Sequence, residues 1–218
     1  MDNIEEFTEI HNITITVAYG DGIGPEIMEG ALILLRESNA KLTIESIEIG
    51  KRIYNMGATY GILPSSLDRL RENRILLKSP TIIPDFPDYT LRTINDKLFE
   101  QFGLENSSMR ISNIIKNLED TDWLSGISIS NENFAIFETM HDAAPELAGK
   151  DVANPCGIIQ ATIMMLEYIS HTETADKIKN AMLKTLDDGI HTVDIYRKKK
   201  SKKKVGTKDF IEAVVDRL

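Results

Sequence analysis

The sequence predicts an α/β protein, with a mixed sheet flanked by helices, because strand and helix signals alternate over most of the chain. Residues 13–19 are mostly β-branched and alternate in polarity, which is typical of a strand. Gly20–Gly24 then breaks the strand, and Pro25 stands where the first residue of a helix belongs. With 218 residues, 42% of them hydrophobic, the chain can bury a core, so we expect one α/β domain over residues 1–218.

The other elements are predicted from spacing and turn residues. Apolar residues at helical spacing give the first helix a buried face that runs to about Glu37. Ser65 and Asp68 stand at capping-box spacing, which predicts a helix that starts at Pro64 or Ser65. The remaining predicted strands are at 42–49, 75–78 and 134–137. The remaining predicted helices follow Gly50, lie at 90–102, 174–186 and 207–217, and follow the loop through Asn154–Pro155, where Ile159, Ile163, Leu166 and Ile169 share one face.

Charge and composition exclude several classes of protein. The 25 basic and 34 acidic residues give a formal charge of −9, which disfavours nucleic acid or anionic lipid as the main partner. No apolar stretch approaches the ~20 residues of a membrane span, and the N-terminus lacks a signal-peptide pattern, so we expect a cytoplasmic protein. Cys156 is the single cysteine, and the four histidines lack zinc-ligand spacing. We therefore expect neither a disulfide scaffold nor a zinc module.

Several motifs, in order along the chain, point to one family. The glycines at 20, 22 and 24 are a weak signal alone, since glycines after a strand usually just form the turn. The specific motifs are Gly20–Glu26 (GDGIGPE), His141–Lys150 (HDAAPELAGK), Ala153–Pro155 (ANP), Thr185–Tyr196 and Gly206–Phe210. On these motifs the chain resembles the isocitrate and 3-isopropylmalate dehydrogenase family. The resemblance covers roughly residues 13–84 and 132–218 and implies the large α/β domain of that fold.

The resemblance also implies that a domain is missing. In the family, a long segment between the two matched parts forms a smaller domain that completes the catalytic cleft and much of the dimer interface. Here fewer than about fifty residues join the two parts, too few for that domain. We therefore take residues 1–84 and 132–218 as family-like and residues 85–131 as a short replacement of the small domain.

The family's chemistry would be lost with that segment. The family oxidises a secondary alcohol with NAD or NADP and removes a β-carboxylate, helped by a divalent metal. The metal-binding aspartates and the acid/base lysine and tyrosine come from the missing segment, so we assign no catalytic residue and no metal site and expect neither Mg²⁺ nor Mn²⁺. Asp120 and Asp122 do not reproduce the aspartate spacing, and we interpret them as solvated turn residues.

Substrate binding is expected to be lost as well. The family positions that bind substrate carboxylates align with Thr90, Arg92 and Asp96, and an aspartate in place of an arginine repels a carboxylate. Ile82 and Ile83 replace threonines that face the nicotinamide and substrate in the family.

The cofactor loop keeps part of the family pattern. The candidate cofactor-binding residues that match family positions are Glu138, His141, Glu146 and Asn154. An acid at Glu146 accepts bonds from ribose hydroxyls and opposes a 2′-phosphate, so the resemblance implies NAD rather than NADP. Asp142 and Ala143 bring a charge and a Cβ to a place where backbone meets ligand in the family, so we expect weak NAD binding at most. His141 is interpreted equally well as an adenine contact or as a loop histidine bonded to its own backbone.

Two further features have two interpretations each. Lys198–Lys200 and Lys202–Lys204 form either a solvated hairpin loop, which we favour, or a site for an anion or an acidic partner. Cys156 starts a predicted helix, whose dipole could lower its pKa, but we favour a small buried residue because no partner base is identifiable nearby.

These observations predict a non-catalytic relative of the family that acts by binding a protein or a nucleotide. The alternative is an NAD-dependent decarboxylating dehydrogenase of a 2-hydroxy acid that is active only with a partner subunit, and a third is a decaying gene product without a selected role. Loss of the small domain would expose apolar surface. Apolar residues in 85–130 are expected to cover it, either within one chain or as a homodimer or heteromeric contact.

Overall fold

The computed structural model describes residues 13–83, 93–104, 110–112, 125–131 and 133–218. Its strands are β1 (Ile13–Ala18), β2 (Leu42–Ile47), β3 (Ile75–Lys78), β4 (Arg110–Ser112), β5 (Ser125–Ile129), β6 (Ala135–Thr139), β7 (Ile190–His191) and β8 (Lys203–Lys204). Its helices are α1 (Gly24–Glu37), α2 (Lys51–Asn55), α3 (Pro64–Asn73), α4 (Ile94–Phe102), α5 (Cys156–Tyr168), α6 (Thr172–Asp187) and α7 (Thr207–Val215). This arrangement confirms the predicted α/β class.

One mixed sheet of six strands, in the order β2-β1-β3-β6-β5-β4, forms the centre of the domain. The strands β2, β1, β3 and β6 are parallel, whereas β5 is antiparallel to both β6 and β4. The parallel part follows from strands separated by helices, since a crossover must connect them. A separate parallel pair, β7 with β8, lies beside α7.

The two faces of the sheet support two apolar clusters, because successive side chains of a strand point to opposite faces. Leu77 and Phe137 belong to the larger cluster, which α1, α5, α6 and α7 complete. Leu76 and Ile136 belong to the smaller cluster under α3 and α4. Within the larger cluster, α5 is buried at every position from Cys156 to Leu166, as a helix packed between a sheet and other helices must be.

Helix α4 lies in the segment 85–131, which the sequence analysis expects to replace the family's small domain. Leu98 and Phe102 are buried in the smaller cluster, and the Phe102 ring stacks on Phe134 with centroids 3.9 Å apart. These residues therefore cover the sheet of their own chain, which is one of the two arrangements that the sequence left open. Most of residues 85–131, including Asp120 and Asp122, lie outside the described residues.

The structure differs from the sequence analysis at three places: a strand that was missed, a helix cap and a helix start. The strand β5 was not predicted, because its serines and glycine disguise a segment whose residues 125–128 are buried. The predicted capping box at Ser65 is wrong: Leu63 is the N-cap of α3 without a side-chain bond, and Asp68 pairs with Arg71 instead. Helix α4 begins at Ile94, and the predicted start at residue 90 lies outside the described residues.

None of the helices in the described ranges combines the length and apolar character needed to cross a membrane.

Candidate functional site

The carboxyl ends of β1, β3 and β6 meet at one edge of the sheet, as parallel strands require. The loop after β1, Gly20–Gly24, and the loop after β6, from Met140 to Ala144, contact each other there. The Ile23 N–H donates a hydrogen bond of 2.8 Å to the Ala143 carbonyl. The expectation that the glycine loop faces the loop around His141 is confirmed.

The glycines of the first loop allow close backbone packing. Gly20 and Gly22 have φ of +66° and +61°, a region that L side chains rarely adopt. A Cβ at Gly22 would lie 1.9 Å from the Ala143 carbonyl oxygen, and one at Gly20 would lie 2.1 Å from the Pro80 carbonyl oxygen. Protein backbone therefore fills the space over these two glycines, which supports the interpretation that they form a turn.

Asp21 connects this loop to two other segments. Its Oδ2 accepts hydrogen bonds from the Lys51 N–H at 2.9 Å and from the Ile82 N–H at 2.7 Å. The first bond caps α2, and the second holds the loop that follows β3. Sequence reasoning missed this residue, although an acid inside a glycine turn that precedes two later loops is the signal that could have found it.

The phenol of Tyr54 lies near two carboxylates at this edge. Burial is the main cause that raises the pKa of Tyr54 to about 12, and the negative charges of Asp96 and Asp21 add to it. The phenol is therefore protonated at neutral pH.

Glu138 is held in a buried ion pair at the end of β6. Its Oε2 lies 2.5 Å from the Lys78 Nζ at the end of β3, and both side chains are more than nine-tenths buried. The Asn95 amide of α4 lies 3.3 Å from both carboxylate oxygens. Glu138 was predicted to contact a cofactor, and here two protein atoms of neighbouring elements, the Lys78 Nζ and the Asn95 Nδ2, contact its carboxylate. Lys78 was not singled out, although a lysine that ends an otherwise apolar strand was a usable signal.

His141 and Thr139 present two polar atoms without partners. The Nδ1 of His141 lies 2.9 Å from the Asp142 carbonyl, a bond that Nδ1 donates. The His141 Nε2 and the Thr139 Oγ1 are shielded from solvent and have no hydrogen-bond partner among the described residues. Both side chains lie next to Gly157 in the first turn of α5. His141 thus bonds to its own backbone through one nitrogen and leaves the other unpaired.

The two remaining candidates differ in their surroundings. Asn154 caps α5 by accepting from the Cys156 N–H at 3.0 Å, and its amide donates to Asp194 at 2.8 Å. Glu146 is exposed in a short 3-10 turn, Pro145–Leu147, where it makes no hydrogen bond or ion pair within the described part of the chain. Of the four predicted residues, Glu146 therefore offers an accessible carboxylate, whereas Asn154 has both amide atoms engaged.

Asp96 has a local structural partner. Its N–H donates to the Thr93 Oγ1 at 3.0 Å, and its carboxylate accepts from the Thr93 N–H at 2.8 Å, a capping box at the start of α4. Thr90 and Arg92, the other positions aligned with the family's carboxylate-binding helix, lie outside the described residues. Of the two isoleucines of the preceding loop, Ile82 is half-buried and Ile83 is exposed.

Cys156 is fully buried, and burial followed by the charge of Asp194 raises the pKa of its thiol well above the ordinary value. The favoured interpretation, a small buried residue, is confirmed. Within the described ranges, no group of three or more histidine, cysteine, aspartate or glutamate side chains converges as a metal site would require.

The chain is similar to known dehydrogenases. A family model described as isocitrate/isopropylmalate dehydrogenase matches residues 14–125 and 123–214. The isocitrate dehydrogenase [NADP] of Rickettsia felis is 26% identical over 335 aligned positions, covering 94% of this chain and 69% of that protein. The 3-isopropylmalate dehydrogenase of Clostridium acetobutylicum is 41% identical over 96 residues, 44% of this chain and 26% of that protein. Because the first alignment is longer than this chain, the Rickettsia protein carries residues that this chain lacks.

Solved structures share the fold. The isocitrate dehydrogenase of Methylococcus capsulatus superposes with a TM-score of 0.78 at 19% identity, covering 94% of this chain and 99% of that chain. A β-decarboxylating dehydrogenase of Thermococcus kodakarensis gives a TM-score of 0.75 at 16% identity, with coverage of 94% and 96%.

Proposed function

Because the chain belongs to the isocitrate/isopropylmalate dehydrogenase family, we propose that it is a non-catalytic member that acts by binding a protein or, weakly, a nucleotide. The observation that carries this proposal is the closure of the candidate site by the chain's own groups. Glu138 is neutralised by Lys78 and contacted by Asn95 of α4, so α4 lies directly against the end of the central strands.

A bound dinucleotide fits these residues only in part. The glycine loop is packed against Pro80 and Ala143, so it leaves no room for a phosphate over Gly20 or Gly22. Asn154 is engaged with Cys156 and Asp194. The exposed Glu146 is the group that could still meet a nucleotide, whereas the unpaired Nε2 of His141 is shielded from solvent. We infer that residual affinity favours NAD over NADP because of the Glu146 charge.

The position aligned with the family's substrate-binding arginine also supports a non-catalytic role. Asp96 carries a negative charge where the resemblance expects a carboxylate-binding arginine, and that charge serves the capping box of α4. A hydroxy-dicarboxylate would be repelled from this position.

The test is an activity measurement on the purified chain with NAD or NADP, Mg²⁺ or Mn²⁺, and isocitrate or 3-isopropylmalate. We expect no reduced nicotinamide above a blank. Turnover that a His141→Ala substitution abolishes would overturn the proposal. The alternative, a dehydrogenase that needs a partner subunit, would be supported instead if the complex purified from the host were active and lost activity when this chain was removed.

A further inference from the structure

A strongly cationic loop follows β7 on this acidic protein. The lysine loop, Arg197–Lys204, holds six lysines and one arginine in eight positions. Its lysines are exposed, and among the described residues only Lys203 has a carboxylate partner, Asp209 at 3.6 Å. The remaining positive charges of the loop are therefore available to another molecule.

The backbone of the lysine loop is well fixed. The Ser201 hydroxyl accepts from the Arg197 N–H at 2.8 Å and lies 2.7 Å from the Nδ1 of His191. The N–H groups of Lys202 and Lys203 both donate to the Gly189 carbonyl. Because these hydrogen bonds hold the backbone of the loop within its own chain, binding through it costs less conformational entropy than binding through a loose tail.

A groove of opposite charge lies between α1 and α7. It encloses a cavity of about 570 Å³ whose apolar floor includes Ile33, Ile211 and Val215. We call it the acidic groove because five carboxylates and a single cation, Lys208, line it. The carboxylates are those of Glu26, Glu29, Glu37, Glu212 and Asp216.

The negative charge of the acidic groove is largely uncompensated. Both carboxylate oxygens of Glu26 are shielded from solvent and have no hydrogen-bond partner among the described residues. Of the five carboxylates, Glu37 alone forms an ion pair within the described ranges, with Arg36 at 3.0 Å. Shielded, unpaired carboxylates are costly, so a cation that enters the groove would offset part of that cost.

We propose that the lysine loop and the acidic groove together form a face that binds a second copy of the chain about a two-fold axis. The lysine loop of each copy would lie on the acidic groove of the other. The two surfaces are neighbours, since β8 ends at Lys204 and the groove-lining Lys208 lies in the first turn of α7. The Lys203–Asp209 pair lies where they meet. A face that carries a positive and a negative patch side by side is self-complementary under a two-fold rotation. This contact differs from the one expected through residues 85–130, and it does not depend on the proposed function.

The experiment measures the mass of the full chain in solution by light scattering and sedimentation at low and at high ionic strength. We expect a dimer at low salt that dissociates at high salt, because exposed charge pairs are screened. A monomer at low salt and high concentration would overturn the proposal. So would a dimer that ignores salt, since it would rest on an apolar surface elsewhere.

Charge reversal then identifies the two surfaces. The loop variant combines Lys199→Glu, Lys200→Glu and Lys202→Glu, and the groove variant combines Glu29→Lys and Glu212→Lys, all at exposed positions. Each variant alone is expected to be monomeric, whereas an equal mixture forms a heterodimer because the reversed patches complement each other. A matched control reverses Lys177 and Lys179 of α6. It breaks the exposed Lys177–Glu173 pair, a contact within α6, and is expected to dimerise like the unmodified chain.

Circular dichroism and the melting temperature check that each variant is folded. If either variant still dimerises when folded, or if the mixture of folded variants stays monomeric, the loop does not occupy the groove and the proposal fails.

Discussion

Gly22 illustrates how the absence of a side chain at one position decides the geometry of the candidate site. Its positive φ and its contact with the Ala143 carbonyl bring the two loops together. Because the Ile23 N–H bonds to that same carbonyl, any displacement of Ala143 would also break this hydrogen bond.

Gly22→Ala is expected to destabilise the chain more than Gly103→Ala. Both glycines have nearly equal positive φ, +61° and +65°, so both substitutions carry a backbone cost of about 1–2 kcal/mol. A Cβ at Gly103 meets nothing within 4 Å, whereas one at Gly22 meets backbone at 1.9 Å. Urea unfolding of both variants measures the difference, and equal losses of stability would show that the two loops separate at no cost.

Asp142 is the residue whose negative charge, according to the family resemblance, disfavours nucleotide binding. It is exposed beside His141, whose Nδ1 bonds to the Asp142 carbonyl rather than to its carboxylate. Its side chain can therefore be removed without loss of a described hydrogen bond.

Asp142→Gly is expected to tighten NAD binding from weak or absent to measurable in calorimetric titration, since it removes a negative charge from a position where, by the family resemblance, backbone meets the ligand. Asp151→Gly is not a suitable control, because Asp151 bonds to the Lys208 N–H. Asp187→Asn, on the exposed end of α6, is a better one and should leave the titration unchanged. A low-micromolar dissociation constant for the unmodified chain would contradict the expectation.

At the scale of elements, the Lys78–Glu138 pair joins β3 to β6, and Asn95 joins α4 to β6 through the Glu138 carboxylate. A buried ion pair is costly to break on one side, because the remaining charge has no partner. It is often less costly to replace both partners by apolar groups.

Glu138→Gln is expected to lower the free energy of unfolding by about 3–5 kcal/mol, because it leaves the Lys78 ammonium buried without its counter-charge. The double variant Lys78→Met, Glu138→Met should recover most of that loss. Chemical denaturation of the two variants decides the point. If the single variant were as stable as the unmodified chain, the ion pair would not be desolvated.

At the scale of the whole molecule, the C-terminal helices close the domain through one carboxylate. Asp188 accepts from the Lys184 Nζ at 2.7 Å on one oxygen and from the Arg217 guanidinium at 2.9 and 3.1 Å on the other. The hydrogen bond from Lys184, followed by that from Arg217, lowers the pKa of Asp188 below its ordinary value of 3.8. Arg217 also donates to the Ala213 carbonyl, so this contact ties the end of α7 to the end of α6.

The lowered pKa makes this contact sensitive to acid. A carboxyl whose pKa is lower in the folded state stabilises the fold above its ordinary pKa, and this contribution disappears as the pH falls through the folded-state value. Asp188→Asn is therefore expected to lower the melting temperature at neutral pH, and its difference from the unmodified chain should vanish well below pH 3.8. The neighbouring Asp187→Asn, which removes no ion pair seen in the described ranges, serves as the control. A difference that persists in acid would assign the loss to packing.

Local patterns by themselves determined the fold class and most elements of this protein. Alternating β-branched residues predicted β1, and the spacing of Ile159, Ile163 and Leu166 predicted α5, because backbone periodicity and burial act within a few residues. The ordered motifs also identified the family and the contact between the two loops.

Tertiary structure decided the state of the site. Sequence alone assigned Glu138 and Asn154 to a cofactor, but a carboxylate or an amide looks the same in sequence whether it is free or engaged. Lys78 lies sixty residues before Glu138, and Asp194 lies forty residues after Asn154. Only the folding of β3 onto β6, and of the loop after β7 onto the start of α5, brings these groups within bonding distance. The pairing of charges depends on such long-range contacts, which no local pattern records.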